Sequence, residues 1–358
     1  MREKEIKPAI AITIGDPTGV GPEIIVKAIA TGQLDAHCRP LVLGRPAILR
    51  QAAMISSLDL DIVEVESVED WLEKSIVSVA QRIPPLWCLS TGREEADGAI
   101  TPIVDQRGGQ LAYDCLVRAT NLALDGQVDA IVTSPLHKVA LLAAGHDWPG
   151  HTELLAHLCG VEEHAMMLYL PPGRPRHGGA AGFGVVHVTL HMALREVFEH
   201  LTIDSIDEKI RLANNVFTRI RQAMRLPGAP RIAVAGLNPH AGESGRFGCE
   251  EQDIILPAVL KARENKIDVV GPLPVDTLMP KAVDGEFDAV VAMYHDQGHI
   301  ALKLLDMFDA VNVTLGIPII RTSVAHGTAH DIAWQNRARS SGMVQAVLTA
   351  ARLAVAPV

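Results

Sequence analysis

Aromatic residues are scarce in this chain, since Trp, Tyr and Phe make up only 4% of its 358 residues. Hydrophobic residues nevertheless reach 48%, so the interior must be filled mainly by Ala, Val, Ile and Leu. Aliphatic runs of this kind are typical of parallel β-sheets that are covered on both faces. The length exceeds what one hydrophobic core usually supports, which favours two domains.

Features that mark several other protein classes are also missing. No basic tract interrupts a sequence with a formal net charge of −10, which argues against a nucleic-acid partner or an anionic membrane surface. No apolar run approaches the ~18 residues of a transmembrane helix, and residues 1–5 lack the apolar core of a signal peptide. The five cysteines are scattered, without a CxxC motif. We therefore expect a reduced, cytoplasmic protein without a membrane partner.

Short aliphatic runs alternate with helical patterns along the chain. The runs that predict strands are 9–14, 41–43, 128–133, 165–170, 184–190, 232–235, 288–293 and 311–315. The patterns that predict helices are 23–30, 46–54, 111–124, 203–224 and the tail from Thr328. This alternation predicts an α/β fold with mainly parallel sheets.

The expected domains are 1–135 with 305–358, and 136–304. Candidate crossings between them are the turn at 147–150 and the loop after Met307. The segment 171–182 is rich in Pro, Gly and Arg and is expected to be a mobile loop.

Three histidines each follow a predicted strand, at positions far apart in the sequence. They are His191, His240 and His295. Ligands of α/β proteins bind at strand ends, and imidazole is a common ligand of divalent metals. The three side chains either share one cation or are separate structural histidines. Asp296 and Glu243 are candidates to orient metal ligands from behind.

Other histidines compete with this set, and for each of them a structural role is the simpler interpretation. They are His187, His299, His326 and His330.

Two further constellations point to anion binding. Residues 15–22 form a glycine-rich turn between a strand and a helix, but its glycine spacing matches neither dinucleotide-binding nor Walker patterns. The turn is therefore either a phosphate site or an ordinary βα turn. The second constellation consists of potential donors to phosphate or carboxylate: His151, Thr152, Lys303, Asn312 and Arg321. For a single charged member such as Lys303, a surface ion pair is the alternative.

Six strings in these regions resemble the 4-hydroxythreonine-4-phosphate dehydrogenase family, and they occur in the family's order. They are GDPTGVGPE at 15–23, PGHTE at 149–153, GLNPHAGE at 236–243, GPLP at 271–274 with Asp276 and Thr277, MYHDQG at 293–298, and RTS at 321–323 with HGT at 326–328. Several matches of this length are specific.

The resemblance implies a two-domain α/β fold like that of isocitrate and isopropylmalate dehydrogenases. It implies a cytoplasmic homodimer with a shared active site, which binds NAD or NADP and one divalent metal (Zn, Co, Mn or Mg). The reaction it implies is oxidation and decarboxylation of a 4-phosphorylated hydroxy acid, as in pyridoxal phosphate biosynthesis.

The family's site residues fall on positions already singled out. The metal ligands fall on His191, His240 and His295. The substrate-binding positions fall on His151, Thr152, Lys303, Asn312 and Arg321. Asp276, Asp296 and Lys303 are the catalytic candidates, although either aspartate could instead only orient a histidine. No residues are assigned to the nucleotide cofactor.

Two alternatives remain open at this point. The string GHI at 298–300 with LKLL at 302–305 looks closer to a branch of the family that acts on 4-phospho-D-threonate or 4-phospho-D-erythronate in sugar-acid catabolism. Three histidines and an activated water would also suffice for a metal-dependent hydrolase. A non-catalytic sensor fits less well, because the complete set of histidines and cations is present.

Overall fold

The computed structural model describes residues 7–77, 85–98, 101–173 and 176–356. The chain divides into two compact units, of which the first consists of Met1–Glu162 and Ile317–Val355. The second consists of Glu163–Gly316 and Ala356–Val358.

The unit boundaries differ from the expected domains at both crossings. Residues 136–162 belong to the first unit, where a Cβ on Gly109 would lie only 2.0 Å from the backbone oxygen of Ala140. The segment after residue 135 is thus packed against the preceding helix. Residues 305–316 belong to the second unit, because their strand Val311–Leu315 pairs antiparallel with Ala165–Leu170. Both assignments depend on tertiary contacts that local sequence signals do not contain.

Six strands among the described residues of the first unit form a parallel sheet. Its strands are β1 Ala9–Thr13, β2 Arg39–Gly44, β3 Ile62–Val65, β4 Leu86–Ser90, β5 Ala130–Thr133 and β12 Arg321–Val324. Their order is β3-β4-β2-β1-β5-β12, with parallel pairing throughout. The helices are α1 Gly21–Ala30, α2 Pro46–Ile55, α3 Val68–Val77, α4 Gln106–Leu124, α5 Lys138–Ala143, α6 His151–Cys159 and α12 Ser341–Ala354.

The described part of the second unit contains six further strands, in the order β11-β6-β7-β10-β8-β9. They are β6 Ala165–Leu170, β7 Phe183–His187, β8 Ile232–Ala235, β9 Val269–Leu273, β10 Ala289–Ala292 and β11 Val311–Leu315. The helices are α7 Val197–His200, α8 Ile203–Ala223, α9 Leu256–Glu264, α10 Val275–Val283 and α11 His295–Leu305. β6 is antiparallel to both of its neighbours, and the other pairs are parallel.

The predicted α/β class with mainly parallel sheets is therefore confirmed. The central strands are aliphatic and almost entirely buried, as in β10, where all four residues are inaccessible to solvent. Such strands are expected where helices cover both faces of a sheet. No helix in the described ranges is long and apolar enough to cross a membrane.

The expected helix from Thr328 is wrong over its first part, since the terminal helix begins only at Ser341. The buried carboxylate of Glu23 on α1 accepts hydrogen bonds from the backbone N–H groups of Trp334 and Asn336, at 2.6 and 2.9 Å. Both residues have positive φ angles, which a right-handed helix does not allow. A tertiary hydrogen-bond acceptor thus overrides the local helical pattern.

The described residues of segment 171–182 form hydrogen bonds with the rest of the second unit. The Tyr169 hydroxyl donates to the oxygen of Ala181 at 2.8 Å, and Gly178 N–H donates to the oxygen of Val283 at 3.0 Å. His177 is buried. Residues 174 and 175 lie outside the described residues. Hydrogen bonds of this kind oppose the mobility that the composition had suggested.

Candidate active site

The carboxyl edge of the second sheet carries the three histidines of the predicted metal site. β10 pairs in parallel with β7 on one side and with β8 on the other, so the three strands end at the same edge. His191 lies four residues beyond β7, and His240 lies in the turn after β8. His295 is the first residue of α11, which follows β10. This is the edge where α/β proteins bind ligands.

A chain of hydrogen bonds ties these three strand ends together. After β7, the N–H and hydroxyl of Thr189 both donate to the oxygen of Met293, at 3.2 and 2.8 Å. Met293 N–H then donates to Gln297 Oε1 at 2.7 Å, and Gln297 Nε2 donates to the oxygen of Gly236 at 2.8 Å. Gln297 is only 8% exposed. Its amide therefore links the segment before His240 to the start of the His295 helix.

The rings of His191 and His295 lie side by side, with their centroids 5.8 Å apart. Two imidazoles that share a cation, at ~2.1 Å from each nitrogen, have centroids separated by up to about 6 Å. His295 Nδ1 is 2.6 Å from Asp296 Oδ1, which favours a proton on Nδ1 and leaves Nε2 as the free acceptor. Asp296 is therefore placed to orient His295, one of the two roles that the sequence left open.

Two further imidazoles belong to the same cluster, although the sequence favoured a structural role for both. His299 Nδ1 is 3.1 Å from His187 Nε2, and the ring of His299 stacks on that of His295 with centroids 3.7 Å apart. Burial lowers the pKa of His299 to about 4 and also lowers that of His187, with neighbouring imidazoles adding to both effects. These rings are neutral at physiological pH.

Gly298 is the residue that makes room for this packing. A Cβ at this position would lie 2.4 Å from Val185 Cγ1 and 2.5 Å from His187 Nε2. Any other residue would therefore displace the His187 ring from its place behind His295. The string HDQG at 295–298 thus contains a candidate ligand, the carboxylate that orients it, the bridging amide and the glycine that the packing requires.

His240 sits on a turn with an unusual backbone. Five consecutive residues, from His240 to Ser244, have φ angles between 45° and 77°. Only Gly242 among them is a glycine, and the left-handed conformation costs the others ~1–2 kcal/mol each. His240 is exposed at this turn. Among the described residues, no group of three His, Cys, Asp or Glu side chains is already arranged to hold a metal ion.

Three other candidate residues occupy the second unit. Lys303 lies on α11 one helical turn after His299, and its charge adds to the lowered pKa of that histidine. Asn312 lies on β11, and its Oδ1 is buried without a hydrogen-bond partner in the described structure. Asp276 lies exposed in the first turn of α10, directly after β9. Because β9 pairs in parallel with β8, Asp276 follows the strand next to the one that precedes His240.

The first unit holds the remaining candidates around a buried arginine. Arg321 on β12 donates to Thr133 Oγ1 through Nε and Nη2, at 3.2 and 2.6 Å. Burial lowers its pKa to about 9, although the charge of Glu153 opposes this shift. The guanidinium is therefore a cation at neutral pH. His151 begins α6, followed by Thr152. Burial and the nearby Arg321 both lower the pKa of His151.

The glycine-rich turn after β1 is filled by its own carboxylate. Asp16 Oδ1 accepts from the Thr18 N–H at 2.9 Å and from the Thr18 hydroxyl at 2.7 Å. Burial raises the pKa of Asp16. A phosphate bound in this turn would lie against the Asp16 carboxyl group, which already occupies the Thr18 donors. The turn therefore fits a structural role better than a phosphate site. His330 contacts Thr18 Oγ1 at 3.0 Å, and His326 contacts the neighbouring Gly327 oxygen at 2.9 Å.

Sequence reasoning missed the groups that position the candidate ligands. Thr189 and Gln297 act through hydrogen bonds to residues 104 and 61 positions away, and Gly298 acts through its close approach to Val185 and His187. Their only local signal is that Gln297 and Gly298 lie next to the polar pair His295-Asp296 just beyond a strand.

The structure thus defines a protein of the α/β class with a histidine cluster at the carboxyl edge of its second sheet. The chain belongs to the family described as pyridoxal phosphate biosynthetic protein PdxA, which matches residues 36–350. The resemblance noted from the six strings is therefore confirmed.

Named relatives share both sequence and fold with this chain over nearly its whole length. A D-threonate 4-phosphate dehydrogenase from Salmonella typhimurium is 43% identical over 96% of this chain and 98% of its own length. A 4-hydroxythreonine-4-phosphate dehydrogenase from Geobacter metallireducens is 44% identical, over 97% and 96% respectively. The crystal structure of a 4-hydroxythreonine-4-phosphate dehydrogenase from Klebsiella pneumoniae matches with a TM-score of 0.82 and 39% identity, covering 97% of this chain and all of that one.

Replacing Gln297 by Met should destabilise the second unit and impair the site. The change keeps the volume but leaves the buried N–H of Met293 and the buried oxygen of Gly236 without a partner, at about 1–3 kcal/mol for each group. We expect a lower melting temperature in calorimetry and lower dehydrogenase activity. Thr349→Val is the matched control, because the Thr349 hydroxyl is buried without a partner in the described structure. Equal melting temperatures of the two variants would contradict the bridging role of Gln297.

Proposed function

We propose that this chain is a metal-dependent NAD(P) dehydrogenase that oxidises and then decarboxylates a 4-phosphorylated hydroxy acid. The observation that carries the proposal is the pair of His191 and His295 at the carboxyl edge of the second sheet, in which Asp296 orients His295. Relatives at 43–44% identity are dehydrogenases of two such acids. A cation held by these two imidazoles would keep open positions for the hydroxyl and the carboxylate of the substrate.

The donor chemistry of the cluster suits a divalent cation. Because Nδ1 of His295 contacts Asp296, its Nε2 is left as an acceptor. The centroid distance between the His191 and His295 rings is within the range of two imidazoles that bind the same cation. His191, His240 and His295 would hold the ion, with His240 contributed by the left-handed turn. When bound, the cation supplies positive charge that acidifies a nearby hydroxyl and stabilises an enolate.

Positive and polar groups would bind the acidic ends of the substrate. In the first unit, Arg321 is a buried cation near the N-terminal turn of α6, where His151 and Thr152 lie. In the second unit, Lys303 supplies a cation near the histidine cluster, and Asn312 has an unpartnered buried oxygen in the described structure. We assign these five residues to the phosphate, carboxylate and hydroxyl groups of the substrate.

The proposed reaction balances in two steps. The C3 hydroxyl loses its proton and C3 loses a hydride, which NAD(P) accepts when bound, and a 3-keto acid remains. That β-keto acid loses CO2, and the resulting enolate takes a proton at C2. Lys303 and Asp276 are the groups we assign to proton transfer, because Asp296 is engaged with His295.

Purified protein should reduce NAD or NADP when it is given a substrate of this class. The panel is 4-phosphohydroxy-L-threonine, 4-phospho-D-threonate and 4-phospho-D-erythronate, and the readouts are cofactor reduction and CO2 release. We expect turnover with at least one of them, because all carry the phosphate and the C3 hydroxyl. Release of inorganic phosphate without cofactor reduction would instead support a hydrolase and would refute the dehydrogenase proposal.

His240→Ala should abolish metal-dependent turnover without unfolding the protein, because the side chain is exposed and its loss removes one metal ligand. Wild-type protein treated with a chelator should lose activity in the same way and regain it with Zn²⁺, Co²⁺, Mn²⁺ or Mg²⁺. The control is His200→Ala, which removes another exposed histidine of the second unit. Near-normal activity of His240→Ala would refute the metal assignment.

We also propose that the active form is a homodimer with a shared active site. Exposed apolar side chains surround the end of α11, including Leu304, which is 82% exposed, and Phe308, and such a patch favours association. Sedimentation should give a dimer, Leu304→Lys should weaken it, and dilution to monomer should remove activity. A fully active monomer would refute the shared site.

A further inference from the structure

The left-handed turn of residues 240–244 needs an external restraint. Its four non-glycine residues are His240, Ala241, Glu243 and Ser244. A free loop would relax from this conformation, because it is unfavourable for L-residues. Such strain persists only where surrounding groups hold it, and it is concentrated at functional sites.

Glu251 provides contacts of the required kind. The side chain is only 3% exposed, and it starts the helical turn Glu251–Ile255 that precedes α9. Its Oε1 accepts the backbone N–H groups of Leu237 and Asn238, at 2.8 and 2.6 Å. Its Oε2 accepts Asn238 Nδ2 at 3.0 Å. Both carboxylate oxygens are therefore used by the segment that enters the turn, and hydrogen bonds to a charged acceptor are strong.

The same carboxylate packs against the inside of the turn. A Cβ on Gly242 would lie 2.6 Å from Glu251 Oε2, and a Cβ on Gly236 would lie 3.3 Å from Oε1. The glycines at the start and in the middle of the loop thus allow the backbone to close around Glu251. Since Glu251 contacts both sides of His240 in the sequence, its position determines where that imidazole is held.

We infer that Glu251 is a positioning residue for His240, acting through the backbone of the left-handed turn. This inference rests on the proposed role of His240 as a metal ligand. Glu251 itself does not contact the ion in this arrangement. Outer groups that orient metal ligands typically change metal affinity by 10–100-fold when they are altered.

The test is Glu251→Gln, read out by direct titration of the metal-free protein with Co²⁺ and its visible absorption. Gln can still accept the two backbone N–H groups, but its amide N–H₂ then faces the amide N–H₂ of Asn238, donor against donor. We expect Co²⁺ to bind about 10–100-fold more weakly than to the wild type. Glu250→Gln is the matched control, because Glu250 also accepts from Asn238 Nδ2, at 2.7 Å, and little change in Co²⁺ affinity is expected.

A second variant tests the mechanism and guards against misfolding. Ser244→Gly removes one strained position, because glycine adopts positive φ without steric cost. Combined with Glu251→Gln, it should restore part of the Co²⁺ affinity. Weak binding without any rescue would overturn the inference. A double variant that does not fold would also overturn it, because Glu251 would then be required by the fold rather than by the turn.

Comparison with His240→Ala separates this inference from the function on which it rests. If Glu251→Gln binds Co²⁺ like the wild type while His240→Ala does not, Glu251 has no positioning role and the metal proposal stands. If His240→Ala binds Co²⁺ as tightly as the wild type, His240 is not a ligand and the metal proposal itself fails.

Discussion

The hydrogen bonds of Gln297 are the interaction on which the candidate metal site depends. Its amide donates to the end of β8 and accepts from the end of β10, and Thr189 extends the connection to the end of β7. Parallel pairing brings the three strands to one edge, but it does not hold the loops beyond them. Because the Gln297 amide is buried, breaking either hydrogen bond would leave a buried backbone group, the Met293 N–H or the Gly236 oxygen, without a partner. The segments that carry His191, His240 and His295 are therefore linked through the same hydrogen bonds.

Burial lowers the pKa values of two imidazoles in the histidine cluster and so keeps them uncharged. Desolvation lowers the pKa of both His187 and His299; the neighbouring His299 and His295 add to the effect on His187, and His295 and Lys303 add to the effect on His299. They form a layer of uncharged rings behind His295, while Asp296 orients that ring from its exposed side, with 68% of its side chain accessible. Neutral imidazole with a defined tautomer is the form that binds metals. The same arrangement would repel a histidinium, because no compensating carboxylate enters the buried layer among the hydrogen bonds described.

Much of the architecture could be predicted from local patterns. The aliphatic runs at β1, β6 and β8 lie where periodicity placed them, because buried parallel strands need uninterrupted apolar side chains. Other features could not be predicted in this way. The helix expected from Thr328 is replaced by a loop because Glu23, more than 300 residues earlier, accepts its backbone N–H groups. The limits of the units likewise depend on which surfaces pack, as Gly109 against Ala140 shows.

Sequence alone determined that His191, His240 and His295 follow aliphatic strands, and its ordered motifs determined the family. These are local properties, since residue type and spacing are read without knowing what lies opposite. Only the tertiary structure decided that Asp296 contacts His295, that His187 and His299 join the cluster, and that Gln297 and Glu251 support the loops. It also gave His240 a strained turn, and it brought a carboxylate from a later segment, Glu251, to the backbone N–H groups of Leu237 and Asn238 just before that turn. Side-chain partners far apart in the chain meet only after folding, so no spacing rule encodes them.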